Sequence, residues 1–170
     1  MSILWSKVKQ GVQVYSFEAS SYIFTILKKN IEINNANVKA FNNIVGNVSD
    51  KLAYISKSKL DKYTSYGSNK LEFTKEKKNS DKIECIKIDD IAFNQNISVM
   101  KIDVQGFDLH VLKGAKETIK KYEMPIIFEY DKELEKDFNY NFRDFQNFLE
   151  EIKYKIILKI DKNNYLIEKE

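Results

Sequence analysis

Apolar positions along this chain recur in two rhythms, every second residue and every third or fourth, and the two alternate. After Gly11, Val12-Gln13-Val14-Tyr15-Ser16-Phe17 is a β-branched and aromatic run that predicts a strand ending at Glu18. Ser20 or Ser21 then offers a helix N-cap, and Ile23, Leu27 and Ile31 follow at helical spacing, predicting a helix to about Asn34. Asn34-Asn35-Ala36-Asn37 is turn chemistry, since asparagine side chains bond the nearby backbone. Residues 38–45 predict a second strand, and Gly46-Asn47 begins a turn toward an apolar run at 52–55. Residues 56–82, rich in lysine, serine and asparagine, read as a variable excursion of loops and short edge strands.

β character resumes at 83–88 and ends at Asp89-Asp90. A buried strand is predicted over 97–103, turning at Gly106 into a helix with Val111, Leu112, Ala115 and Ile119 on one face. Met124-Pro125-Ile126-Ile127-Phe128-Glu129 predicts another strand, with proline at its entrance, where a missing N–H is tolerated. Phe142, Phe145, Leu149 and Ile152 mark a helix, their side chains reading as core. Segments 153–160 and 165–167, separated by Asp161-Lys162-Asn163-Asn164, predict a closing antiparallel hairpin. Strands alternating with helices indicate an α/β fold, a mostly parallel sheet covered on both faces.

Composition narrows the function classes. At 170 residues the chain is most simply one domain, 1–170. Its net charge of +3 is spread rather than clustered, and Arg143 is the one arginine among 28 basic residues. That favours a solvated lysine surface over nucleic-acid or phosphate recognition, which prefers the guanidinium fork. The single Cys85 excludes an internal disulfide and reads as buried filler in a reducing compartment. Met1-Ser2-Ile3-Leu4-Trp5-Ser6-Lys7 is too short an apolar start for a signal peptide, and no 18-residue apolar stretch exists, so a cytoplasmic location without a membrane span is expected. No His/Cys/Asp cluster shows metal spacing, and His110 falls on the helix after Gly106, as a surface or satisfied histidine.

The candidate chemistry is carboxylate chemistry. Three strands end in acids, Glu18, Asp103 and Glu129, and parallel strands put such ends on one edge of a sheet, where ligands bind. Glu18 is placed to accept hydrogen bonds from vicinal hydroxyls of a ribose, or equally to favour a helix N-terminus. Asp103 can orient a hydroxyl and take its proton, or cap the next helix. Gly106 lets backbone pass close to a ligand, or serves only the turn. Glu129 binds an acceptor or caps the following helix.

Together the segments resemble the FkbM-like branch of the S-adenosylmethionine-dependent methyltransferases. The likeness rests on Val12-Gln13-Val14-Tyr15-Ser16-Phe17-Glu18, on Leu27-Lys28-Lys29-Asn30-Ile31 with Asn34, and on Ile88-Asp89-Asp90. Its strongest part is Lys101-Ile102-Asp103-Val104-Gln105-Gly106 through Val111-Leu112-Lys113-Gly114-Ala115, with Ile126-Ile127-Phe128-Glu129 beyond. The resemblance implies a Rossmann-like class I methyltransferase sheet whose final strand is antiparallel. It implies methyl transfer from S-adenosylmethionine to a hydroxyl oxygen of a sugar or related small metabolite. Glu18 would hold the donor's ribose, Val45, Gly46 and Asn47 would lie against the adenine, and Asp103 would face the methionine end and the acceptor, with Gly106 beside it and Glu129 as a second catalytic candidate.

Three departures from the family pattern stand out. Ala19-Ser20-Ser21 replaces a proline-containing turn, and Gln105 stands where glutamate is commoner. Only 17 residues precede Glu18, with Gly11 their sole glycine, so the family's first strand and glycine-rich loop are expected to be missing. That strand lies at the middle of the family's sheet, and each backbone group orphaned by its loss costs roughly 1–3 kcal/mol. The chain is therefore expected to be truncated, to bind the donor weakly by itself, and to homo-oligomerise or recruit a partner chain through an exposed sheet edge. The competing expectations are a non-catalytic Rossmann-like remnant or partner-dependent module and, less favoured, a metal-dependent nuclease using Asp103 and Glu129.

Overall fold

A computed structural model describes residues 1–56, 71–72 and 80–170 of the chain. Contacts divide the chain into two compact units, Met1–Val45 with Asp50–Ile86, and Gly46–Ser49 with Lys87–Glu170.

The first unit opens with a short helix α1 (Ser2–Lys7), followed by β1 (Val14–Phe17), α2 (Ser21–Ile33) and β2 (Val38–Phe41). β1 and β2 pair in parallel, Val14 opposite Val38 and Phe17 opposite Phe41, whose rings stack 5.0 Å apart. Ser20 is the N-cap of α2, accepting from the Ile23 N–H at 3.4 Å, and Asn35 leaves the helix in the left-handed region (φ 45°) that asparagine tolerates.

The strand expected over 38–45 is split, and the cause is two asparagines. Asn42 Nδ2 donates to the Glu18 and Ala19 carbonyls, and Asn43 Nδ2 to the Glu84 carbonyl, so both amides serve neighbouring loops and strands where the ladder would have run on. The chain then enters a second sheet as β3 (Ile44–Val45), parallel to β6 (Ser80–Ile86). β4 (Lys51–Ser56) runs antiparallel to β6 and pairs with β5 (Leu71–Glu72). Cys85 and Ala53 are buried there, Cys85 as the expected filler. The remainder of the expected excursion, 57–70 and 73–79, lies outside the described residues.

The second unit carries β7 (Met100–Lys101), α3 (Asp108–Gly114), α4 (Lys116–Tyr122), β8 (Ile126–Glu129), α5 (Glu135–Phe138), α6 (Phe142–Ile152), β9 (Tyr154–Lys159) and β10 (Asn164–Lys169). Its sheet runs β7-β8-β10-β9, with β7 parallel to β8 and β10 antiparallel to both β8 and β9, so the closing hairpin forms as expected. The helix stripe also forms: Val111, Leu112, Ala115 and Ile119 are all buried. The helix breaks at Ala115, which cannot cap the second segment. Asp89 does so from a distant turn, accepting from the Glu117 and Thr118 N–H groups at 3.1 and 2.7 Å. α6 carries a complete capping box between Asn141 and Asp144, and its Phe145 stacks on Phe128 at 5.0 Å.

The architecture is mixed α/β. Instead of one mostly parallel sheet, the described strands form three hydrogen-bonded sheets that combine parallel and antiparallel pairs. Among the described residues no helix is long and apolar enough to cross a membrane.

Candidate active site

The strand expected over 97–103 narrows to Met100–Lys101, but its ladder continues: Met100 N–H donates to the Pro125 carbonyl at 3.1 Å and Ile102 N–H to the Ile127 carbonyl at 2.8 Å. Lys101 lies opposite Ile127. Extending that register by two residues sets Asp103 opposite Glu129, with both side chains on the face Lys101 and Ile127 share, because side chains repeat every second residue. Two carboxylates thus meet at neighbouring parallel strand ends. Lys101 Nζ pairs with Asp103 Oδ2 at 2.9 Å, the lysine mostly covered and the aspartate half exposed. The Glu129 carboxyl is held above its ordinary value, first by burial and then by the charge of Asp103 and a side-chain hydrogen bond to it.

The loop after Asp103 reverses through two consecutive left-handed residues, Gln105 (φ 52°) and Gly106 (φ 92°). A glutamine in that region carries a steric cost that glycine does not. Gln105 Nε2 reaches Glu129 Oε2 at 3.5 Å, so the strained residue points its amide at the pair. A Cβ on Gly106 would sit 2.6 Å from the Phe138 ring, and the Tyr140 hydroxyl donates to the Gly106 carbonyl. The glycine therefore serves close packing of backbone against an aromatic side chain.

Behind the pair stands a residue the sequence reading passes over. Asp108, the first residue of α3, is fully buried, and its Oδ1 accepts from the Glu129 N–H at 3.1 Å. Its Oδ2 is buried without a hydrogen-bond partner. Burial, chiefly, pushes this carboxyl up to about 7 against the Glu129 and Val104 N–H groups, and the charges of Glu129 and Asp103 push the same way as burial. An acid in the first helical turn is ordinarily exposed dipole chemistry. The signal that could have distinguished it is its flanks, Phe107 and Leu109, both apolar and both buried. The Tyr140 hydroxyl is held above the usual phenol range by burial and by Asp108.

His110 is part of the packing. Its ring stacks on Phe107 at 4.3 Å, its Nδ1 is buried without a partner, and burial and then Lys113 lower its pKa, favouring the neutral ring. Immediately after Glu129, an open groove of about 790 Å³ runs along Tyr130, Asp131, Lys132, Lys159 and Tyr165.

The remaining candidates fall elsewhere. In the first unit, Glu18 follows β1 half-buried. Its Oε1 accepts from the Ser20 N–H at 2.8 Å, and burial, opposed by the Ser20 and Ala19 N–H groups, raises its pKa. Val45 is buried in β3. In the second unit, Gly46 is buried with its carbonyl against Gly114, and Asn47 is exposed. The structure therefore brings together Asp103, Glu129 and Gly106. Among the described residues no group of three or more His, Cys, Asp or Glu is placed to hold a metal ion.

Comparison with known proteins follows the same lines. The sequence profile described as the Methyltransferase FkbM domain matches residues 3–156. No curated protein sequence matches the chain. Among solved structures, the methyltransferase FkbM from Methylobacillus flagellatus KT is similar in fold, with a TM-score of 0.58 at 16% identity over 92% of this chain. The match spans 36% of that protein's length.

Proposed function

The chain belongs to the FkbM methyltransferase domain family, and from that premise we propose that it serves S-adenosylmethionine-dependent O-methylation of a sugar or related small-metabolite hydroxyl in the cytoplasm, on a Rossmann-like class I framework. The observation that carries this reading is the in-register meeting of Asp103 and Glu129 at two parallel strand ends. An acidic rim of that kind suits a cationic donor and a hydroxyl acceptor alike. Bound S-adenosylmethionine supplies a methyl group on a positively charged sulfur. In this reading Asp103 and Gly106 lie at the donor's methionine end.

The residues' own work is positioning and proton acceptance. Asp103 and Glu129 orient the acceptor hydroxyl, and the raised affinity of Glu129 for a proton makes it a stronger base than a free carboxylate. Lys101, 2.9 Å from Asp103 Oδ2, helps hold that carboxylate in place. The groove beyond Glu129, with tyrosines and lysines in its wall, holds the rest of the acceptor. The rate then falls as pH drops through the Glu129 pKa, which burial and Asp103 hold above the usual 4.5 of a glutamate.

The test is transfer of an isotopically labelled methyl group from S-adenosylmethionine to a panel of hydroxylated metabolites, using the protein as its organism makes it. Label on an acceptor oxygen supports the reading, and loss of it in Asp103→Asn ties it to the site. Absence of both donor binding and transfer overturns it.

A second reading is favoured by one feature. Among the described residues β1 has β2 as its one strand neighbour, and β7 has β8, so each keeps an unpaired edge. A partner-dependent, non-catalytic module would use such an edge. Concentration-dependent assembly in light scattering, with no methyl transfer, would select it.

A further inference from the structure

We propose that Asp108 is a positioning residue for the Asp103–Glu129 pair, its buried carboxyl fixing the Glu129 backbone from behind. Three independent observations carry this. The Asp108 side chain is fully buried, its Oδ1 accepts from the Glu129 N–H at 3.1 Å, and its Oδ2 is sealed in with no partner. A buried charge without a full set of hydrogen bonds is costly, so a carboxyl in this place is stable as the neutral acid. That is consistent with its being pushed up to about 7 by burial. The groups facing it are Glu129 from β8, Asp103 from beyond β7 and Tyr140 from beyond α5; Glu129 itself also faces Lys101 and Asp131. Among these Lys101 is the one cation, and it is paired with Asp103.

The geometry explains why the residue sits at the start of a helix. α3 begins where the Gln105–Gly106 reversal ends, so one carboxyl ties the helix start to the end of β8. Glu129 is then held through its backbone by Asp108 and through its side chain by Gln105 and Asp103. The inference rests on reading Asp103 and Glu129 as the acid–base pair, and its test is chosen to be separable from that reading.

The experiment is carboxyl and amide NMR of the full chain against pH, for the parent, Asp108→Asn and Asp108→Ala. In the parent, the Glu129 carboxyl should show an upper inflection near pH 7 as Asp108 ionises. Asp108→Asn should abolish that inflection yet keep the Glu129 amide protected, because the side-chain carbonyl still accepts. Asp108→Ala should raise exchange of the Glu129 amide about tenfold or more, having no acceptor. If Asp108→Ala does not fold, the loss or persistence of the inflection in Asp108→Asn decides. An upper inflection that survives in Asp108→Asn, or equal amide exchange in the Asn and Ala variants, overturns the proposal. Should the titration behave as expected and no variant or parent transfer a methyl group, the proposed function falls and the coupling stands.

Discussion

The two units of this protein answer the same local pattern differently. In both, a strand ends in an acid and a helix follows. In the first, α2 has no buried residue, and its Ile33 is 81% exposed. In the second, five of the seven residues of α3 are buried. The acids follow suit. Glu18 is bound by the backbone of its own loop, whereas Glu129 is engaged by a side chain from the neighbouring strand end, another from the loop and a third from the helix beyond. A strand-end acid becomes chemically distinctive when surrounding elements desolvate it and set other charges beside it, and that is a property of packing.

The sharpest way to test the contrast is to neutralise one acid in each unit. Asp103→Asn should lower kcat by roughly 10²–10⁴-fold, the usual range for a group that orients and deprotonates an acceptor. Glu18→Gln should raise the donor's KM with a smaller change in kcat, as expected for a binding contact. Steady-state kinetics with the labelled donor separates them, and equal kcat losses would dissolve the distinction.

Stability should show the same asymmetry. Phe145→Ala removes a ring that stacks on Phe128 in the second unit's core and should cost about 3–5 kcal/mol by urea unfolding. A loss under ~1 kcal/mol would mean that this core is not what holds the unit together.

The buried acid makes the next effect depend on pH. Asp108 titrates near 3.8 when unfolded and at about 7 when folded, so between those values the native state binds the extra proton. Stability therefore declines as pH rises past the unfolded value, and the decline is complete above about 7. Asp108→Asn should lack this decline, so its stability relative to the parent should improve by a few kcal/mol at most between pH 5 and pH 8. Parallel curves for the two proteins would show that Asp108 stays solvated. The smallest effect belongs to α2, where Ile33→Ala should change stability by no more than about 0.5 kcal/mol. A large loss there would mean that the exposed face of α2 is covered in solution.

Much of the second unit is legible in the amino-acid order alone. Val111, Leu112, Ala115 and Ile119 announce a buried stripe, Phe145, Leu149 and Ile152 another, and the hairpin lies where Asp161-Lys162-Asn163-Asn164 separates two apolar runs. Asp103 and Glu129 were visible as acids closing apolar runs, and their side-by-side placement matches the register that follows from parallel pairing. What was not visible has a common cause in partners distant in sequence. The break inside 38–45 depends on Asn42 and Asn43 finding carbonyls at positions 18, 19 and 84. The break at Ala115 depends on a cap from Asp89. Asp108 looked like an ordinary helix-start acid because its apolar flanks, Phe107 and Leu109, hint at burial without naming Glu129, 21 residues away, as its partner.

Hydrophobic periodicity and turn chemistry are local, so the amino-acid order settled the kind and approximate place of the elements, the family, and two of the three acids in the second unit's cluster, Asp103 and Glu129. Burial and charge coupling are sums over neighbours that come together only on folding. Which acid is sealed, which carboxyl is raised by its neighbour's charge and where a strand must break were therefore left to the folded chain.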